Sequence, residues 1–189
     1  MQQILPRDLR RRAALLLLLA VVFAPSATNA AAADTTLRPR DALEGSLVNR
    51  INDVRAAHGL RALSVSSALT KAATRHANSM ASVGYFQHEL YTPTRSKDWT
   101  GFSTWIRWYW PGPGYSSWSA GENLAWGAPD ISARQTVSRW MNSPPHRANL
   151  LTAGWRRVGV AAVHVSGPDG YFGGWSEVTV VAAEFGRRS

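Results

Sequence analysis

Gly121-Glu122-Asn123-Leu124-Ala125 and Ser143-Pro144-Pro145-His146-Arg147-Ala148-Asn149-Leu150-Leu151 are two short polar motifs set in apolar surroundings. A third element, His88 in Tyr85-Phe86-Gln87-His88, closes a helical segment upstream. Two imidazoles and one carboxylate from three separate segments can converge on one cleft. Neutral imidazoles ligate Zn or Cu, and two of them with one carboxylate leave coordination positions open. Such a set can also activate water, with Glu122 as ligand or general base. The competing reading is a buried hydrogen-bond network in which Glu122 accepts from backbone N–H groups or from His146.

The segments around these motifs have readable periods. Leu43, Leu47, Val48, Ile51 and Val54 share one face of a helix that starts near Asp41 and ends at Gly59. A second helix begins after Ser66 or Ser67, turns Leu69, Ala72, Ala73, His76, Ala77 and Met80 inward, and stops at Gly84. His76 on that face reads as a core histidine. A third helix runs from Ser132 to Asn142 with Thr136, Val137, Trp140 and Met141 buried. Ser143-Pro144 then reads as an N-cap followed by proline at the first helical position, opening a short helix that carries His146.

Strands come late, over Val158–Val165 and Val178–Phe185, with Gly167-Pro168-Asp169-Gly170 as a turn between them. Helices first and antiparallel strands afterwards point to an α+β domain and away from a doubly wound parallel sheet. Asn123 and Asn149 are expected to satisfy backbone groups where the chain leaves regular structure. His58 and His164 have no partner suggested by spacing.

The first residues read differently. Arg7, Arg10, Arg11 and Arg12 precede an apolar run from Ala13 to Ala24, Pro25 breaks it, and small residues follow. That run is short for a bilayer span, so residues 1–30 are expected to be a cleavable export signal, with Arg11-Arg12 leaving a twin-arginine route open. Residues 31–40 read as a linker and 41–187 as the folded domain. There is no cysteine, hence no disulfide and no lipid-modified cysteine anchor. The expected location is extracellular or periplasmic, without a stable membrane anchor.

The whole chain carries a formal charge of +9, and the part after residue 30 keeps 17 basic and 11 acidic residues, or +6. Outside the cell this favours anionic envelope polymers or lipid head groups over nucleic acid as partners. Between Tyr91 and Trp118 lies a dense aromatic stretch with no clean period, expected as a long ordered loop or a loop with a helical turn. Its Trp105, Trp108, Trp110 and Trp118 are candidate ligand-stacking residues; the alternative is that they pack on one another over the core.

His88 after Phe86, the Gly-Glu-Asn-Leu-Ala segment, and Val137-x-x-Trp140-Met141-Asn142-Ser143-Pro-x-His146-Arg-x-Asn149-Leu-Leu occur in one order, followed by Val158-Gly159-Val160 and Glu184-Phe185-Gly186. Over residues 43–186 this set resembles the CAP superfamily of cysteine-rich secretory, antigen 5 and pathogenesis-related 1 proteins, also called the SCP domain, in its cysteine-free bacterial branch. The resemblance implies an α-β-α sandwich and a cleft lined by two histidines and two acids, which in some members binds a divalent metal. His88, Glu122 and His146 match three of those positions. The second acid would fall near Ser143, where this chain has no carboxylate. The resulting expectation is a non-enzymatic binding protein for a lipid, glycan or envelope partner, needing no cofactor. The alternative is a Zn- or Cu-dependent, protease-like hydrolase using His88, His146 and Glu122.

Overall fold

Two strands, Arg157–Ser166 and Glu177–Arg188, pair antiparallel over residues 157–166 and 177–186 and form the centre of the fold. The computed structural model describes residues 36–93 and 99–189; the expected export signal lies outside them. In chain order the elements are β1 (Thr36–Pro39), α1 (Asp41–Ala57), β2 (Ser64–Val65), α2 (Ser67–Val83), β3 (Leu90–Tyr91), β4 (Trp99–Thr100), α3 (Phe102–Trp105), β5 (Trp118–Gly127), α4 (Ala133–Asn142), α5 (Pro144–Leu150), β6 (Arg157–Ser166) and β7 (Glu177–Arg188). One sheet has the order β1-β6-β7-β5, with β2 added parallel to the start of β6. A separate two-stranded ladder joins β3 and β4.

The near-continuous apolar runs of β6 and β7 follow from burial on both faces. Val158, Val160 and Ala162 of β6, with Val181, Ala183 and Phe185 of β7, pack against Leu47 and Ile51 of α1, Val137 and Trp140 of α4 and Leu150 of α5. The intervening Ala161, Val163, Val165, Val178, Val180 and Ala182 pack against Ala73, Ala77, Met80 and Ala81 of α2. Period-two alternation therefore divides the side chains between two helical layers, and the α-β-α sandwich is the α+β architecture that the sequence suggested.

Helix boundaries follow local chemistry. The Ser66 hydroxyl accepts from the Leu69 N–H at the start of α2, and Gly84 ends it at φ 76°, in the left-handed region. Ser132 and Gln135 form a reciprocal capping box on α4. Gly159 fixes how closely α2 approaches the sheet: a Cβ there would lie 2.1 Å from the backbone of Leu69 and Thr70. α2 thus rests directly on β6, beside the β7 residue Glu184 that pairs with Gly159.

Two expectations need correction. Residues 36–39 of the expected linker are β1, paired with Val163–Ser166 of β6, because Leu37 finds apolar cover on the α2 side of the sheet. The Gly-Glu-Asn-Leu-Ala motif, which carried no strand assignment, lies within the ten-residue β5, paired with β7 over its full length. Polar residues in a strand obscure the alternation that announces one. The aromatic stretch is ordered locally, with β4, α3 and a 3-10 turn over Ile106–Trp108.

Candidate functional site

Strand β5 forms one edge of the sheet, and the two helical layers meet beside it. Glu122 points toward the α2 layer and Asn123 toward the α5 layer, as adjacent strand residues must. On the α2 side, His76 Nδ1 lies 2.5 Å from Glu122 Oε1, and His88 Nδ1 lies 2.6 Å from Glu122 Oε2. Both carboxylate oxygens are thereby occupied. The two imidazoles differ in access: His76 is wholly buried, whereas the His88 side chain is 53% exposed above a Glu122 side chain that is 1% exposed.

Buried Trp105 holds both histidines in place. Its indole N–H donates to the His88 carbonyl oxygen at 3.1 Å, and its ring meets the His76 ring edge-on at 4.9 Å. His76 also has its Nε2 3.3 Å from the Glu89 carbonyl oxygen.

On the other side of β5, the Asn123 amide donates to the His146 carbonyl oxygen at 3.0 Å and accepts from the Asn149 amide at 3.0 Å. Asn149 packs so tightly on Gly121 that a Cβ there would meet its Oδ1 at 2.4 Å. This peg-and-socket contact seats α5 on β5 and carries His146 to the cleft. Ser143 occupies the N-cap position of α5 as expected, but its hydroxyl does not cap the helix. It is hydrogen-bonded to His146 Nδ1 at 2.8 Å. The free edge of β5 is covered by α4: the Trp140 indole donates to the Leu124 carbonyl, and Arg139 Nη1 donates to the Trp126 carbonyl at 2.7 Å.

Electrostatics separates the groups. Burial alone would raise Glu122, but hydrogen bonds from His76 and His88 outweigh it and hold the carboxyl below its usual range. The bond to Glu122 raises His88 above an ordinary histidine, despite partial burial. Burial, with the nearby His88 charge, lowers His146. Glu184 faces Glu122 across the β5–β7 pair, is fully buried, and has the Glu122 carboxylate as its hydrogen-bond partner. Burial, the Glu122 charge and the hydrogen bond to Glu122 raise it well above its ordinary value, which favours its protonated form.

The structure thus joins His88 directly to Glu122, and brings His146 close enough to feel the His88 charge without entering that hydrogen-bond cluster. The network expected around Glu122 is corrected: the carboxylate accepts from His76 and His88, and not from His146 or from backbone N–H groups. His76 and Glu184 are the residues that sequence reasoning left out of the site. Each carried a signal, being a titratable group on an otherwise apolar face, where burial without a partner is costly. His58 instead bonds the Val54 carbonyl, and His164 the Thr179 hydroxyl.

The expected metal set does not fit this arrangement. Among the described residues, the group with metal-ligand spacing is His76, Glu122 and Glu184, all three buried, and His146 is not part of it. His88 Nδ1 is engaged with Glu122 and His146 Nδ1 with Ser143, so the two imidazoles and Glu122 are not brought to a common ligand spacing.

Beside His146 a hollow of about 280 Å³ is lined by Phe86, Leu124, Ala125, Trp126, Arg139, Trp140, Ser143 and His146. An aromatic ledge continues outward from it: Phe86 stacks on Tyr171 at 5.8 Å, and Trp126 meets Tyr171 at 5.9 Å and Trp175 at 6.1 Å, edge to face. Tyr171 is 58% and Trp175 52% exposed. The tryptophans expected to bind ligand lie elsewhere. Trp105 and Trp110 are fully buried in the core, Trp118 sits under the Arg107 guanidinium, and Trp108 is exposed but does not line the hollow. Trp105 is needed to hold His88 and His76, which is why it is inside.

Known proteins share this framework. Similarity to an uncharacterised protein, YkwD, of Bacillus subtilis (strain 168) is 30% identity over 139 residues, 72% of this chain and 49% of that protein. The chain spans about half the length of that curated relative. In fold it is similar to an outer surface protein from Borrelia burgdorferi, with TM-score 0.60 and 20% identity, covering 82% of this chain and 100% of that one. It is also similar to an extracellular SCP-domain protein from Bacillus anthracis, with TM-score 0.56 and 21% identity, covering 77% of this chain and 40% of that one. Among the described residues no helix is long and apolar enough to cross a membrane. Residues 48–182 match the profile of the cysteine-rich secretory protein family, and the chain, free of cysteine, belongs to that CAP family.

Proposed function

We propose that this is an exported, non-enzymatic binding protein whose cleft and aromatic ledge hold a lipid or glycan of the cell envelope. The observation that carries this reading is the ledge of Phe86, Trp126, Tyr171 and Trp175, which leaves the hollow beside His146 with two of its rings more than half exposed. Aromatic faces of this kind stack on sugar rings or lie against acyl chains. His88 and His146 at the rim add polar contacts that orient such a ligand.

The hydrolase reading has less to stand on. Both Glu122 oxygens are held by imidazoles, and Ser143, where the resemblance would place a second acid, bonds His146. Where a second acid would stand the cleft has the Ser143 hydroxyl, which supplies neither an anionic ligand nor a carboxylate base.

Intrinsic fluorescence tests the proposal. Titration with muropeptide fragments or with lipid vesicles should shift the emission of the wild-type protein, and the Tyr171→Ala, Trp175→Ala double variant should lose the shift. An unchanged spectrum with every such ligand would sink it.

A further inference from the structure

A second surface, away from the cleft residues, has a chemistry of its own. Arg156 and Arg157 enter β6, Arg187 and Arg188 end β7, and Arg61 precedes β2. Strand register brings them together: Ser64 of β2 pairs with Arg157, Arg157 pairs with Gly186, and the Arg156 N–H donates to the Gly186 carbonyl. A hollow of about 320 Å³ is lined by Arg61, Arg156, Arg157 and Arg188 with Ala62, Ser64 and Tyr115. A second, of about 190 Å³, shares Arg156 and Arg188 with it and adds Arg187, Ser117, Gly154 and Ser189. No aspartate or glutamate side chain lines either hollow, and none among the described residues pairs with these five arginines.

Three of the guanidiniums are set in place by neutral groups. Arg156 Nη1 donates to the Ala153 and Trp155 carbonyls, both at 2.8 Å. Arg187 Nε donates to the Ser119 hydroxyl oxygen. Arg188 donates to the Pro111 carbonyl and lies between the Trp110 and Tyr115 rings, at 4.3 and 4.2 Å from their centroids. The buried Arg55 donates to the Arg61 carbonyl, has no acidic partner among the described residues, and adds its charge beneath the surface. Concentrating positive charge without counter-charges costs stability through repulsion, unless an anion completes it.

We infer that this double hollow binds a linear polyanion of phosphodiester-linked polyols, several phosphates at a time. Arginine forks match phosphate oxygens bidentately, and two hollows with shared arginines suit consecutive phosphates on one strand. Tyr115 is the one aromatic ring lining either hollow, and the Arg188 guanidinium lies over one of its faces, so the successive stacking platforms on which single-stranded nucleic acid depends are not provided. The arginines line recesses, which a flexible strand enters and a bilayer plane does not. This surface is separate from the cleft and stands or falls independently of it.

Calorimetric titration with a glycerol-phosphate oligomer of about eight phosphates should show binding that weakens linearly in log salt. Arg156→Gln with Arg188→Gln should weaken it roughly tenfold or more. Because Arg188 also packs on Trp110, Arg61→Gln with Arg157→Gln provides a second variant, expected to lose affinity similarly with an unchanged circular dichroism spectrum. Arg50→Gln with Arg134→Gln removes equal charge from another hollow and should keep affinity within about twofold. No binding by wild type, an equal loss in the Arg50/Arg134 variant, or tighter binding to an oligonucleotide or phosphatidylglycerol vesicles of matched phosphate would each overturn the inference. The Tyr171→Ala, Trp175→Ala variant should bind the oligomer as wild type does, so failure here is distinguishable from failure at the cleft.

Discussion

Glu122 and Glu184 are directly opposed on β5 and β7, yet the first accepts from two imidazoles while the second has no imidazole of its own and is hydrogen-bonded to the first. Like charges facing one another in a sealed site cannot both persist, so one carboxyl keeps its proton. The pair therefore has a built-in division of labour: Glu122 carries the negative charge that orders His76 and His88, and neutral Glu184 fills the space behind it.

Glu184→Gln should be nearly silent below the unfolded carboxyl pKa, where both states of wild type are protonated, and should become the more stable protein as pH rises above it. The raised Glu184 makes a contribution that is complete below the unfolded carboxyl pKa and is lost as pH rises toward the folded value. Urea denaturation of wild type should accordingly reveal a stability decline that begins as pH rises above the unfolded carboxyl pKa and that the Gln variant lacks. Identical pH profiles for the two proteins would contradict the assignment.

Glu122→Gln should behave in the opposite way, destabilising the fold by about 1–3 kcal/mol at neutral pH, because the amide keeps one acceptor oxygen and one of the two imidazoles loses its partner. The lowered Glu122 supplies stability above the unfolded carboxyl pKa, and loses it as pH falls through the folded one. Acid unfolding of wild type followed by circular dichroism gives the comparison.

His88 and His146 should titrate on opposite sides of an ordinary histidine, His88 higher and His146 lower. Proton NMR of the ring Hε1 signals reads both. In His88→Ala the His146 midpoint should move upward, because the neighbouring positive charge is gone. No movement would mean that the two rings do not share the cleft.

Asn123→Ala removes the amide that joins the His146 carbonyl to the Asn149 side chain, at an expected cost of about 1–3 kcal/mol from the groups left unsatisfied. Asn149→Ala should cost a similar amount, and the double variant less than the sum, since the two residues share one bond. Additive losses measured by thermal unfolding would argue against a shared peg.

Gly159→Ala should be severely destabilising, by about 3 kcal/mol or more, since its Cβ would enter the backbone of α2. The same change at Gly45, where nothing lies within 4 Å of the new Cβ, should be neutral or slightly stabilising. Paired chemical denaturation curves check both.

Much of this arrangement was legible in the residues. Helical stripes on α1, α2 and α4 gave their boundaries closely, because caps such as Ser66, Gly84 and Ser132 act within a turn of the residues they serve. Two of the three candidate site residues, His88 and Glu122, are bonded to each other. What was not legible came from long-range pairing. β5 escaped notice because its polar residues answer to two different layers, Glu122 to α2 and Asn123 to α5. His76 looked like core because an inward helical position does not say which strand it meets. Trp105 and Trp110 looked available because an aromatic run without a period gives no sign of which rings turn inward; Trp126, Tyr171 and Trp175, scattered in sequence, form the exposed cluster.

The cover that α4 places over β5 has a further consequence. A sheet that ended in bare Leu124 and Trp126 carbonyls would offer a template onto which a stray extended segment could add. Trp140 and Arg139 fill those acceptors with side-chain donors. The protein can therefore keep a polar strand beside its cleft without leaving that edge as a template for a second chain.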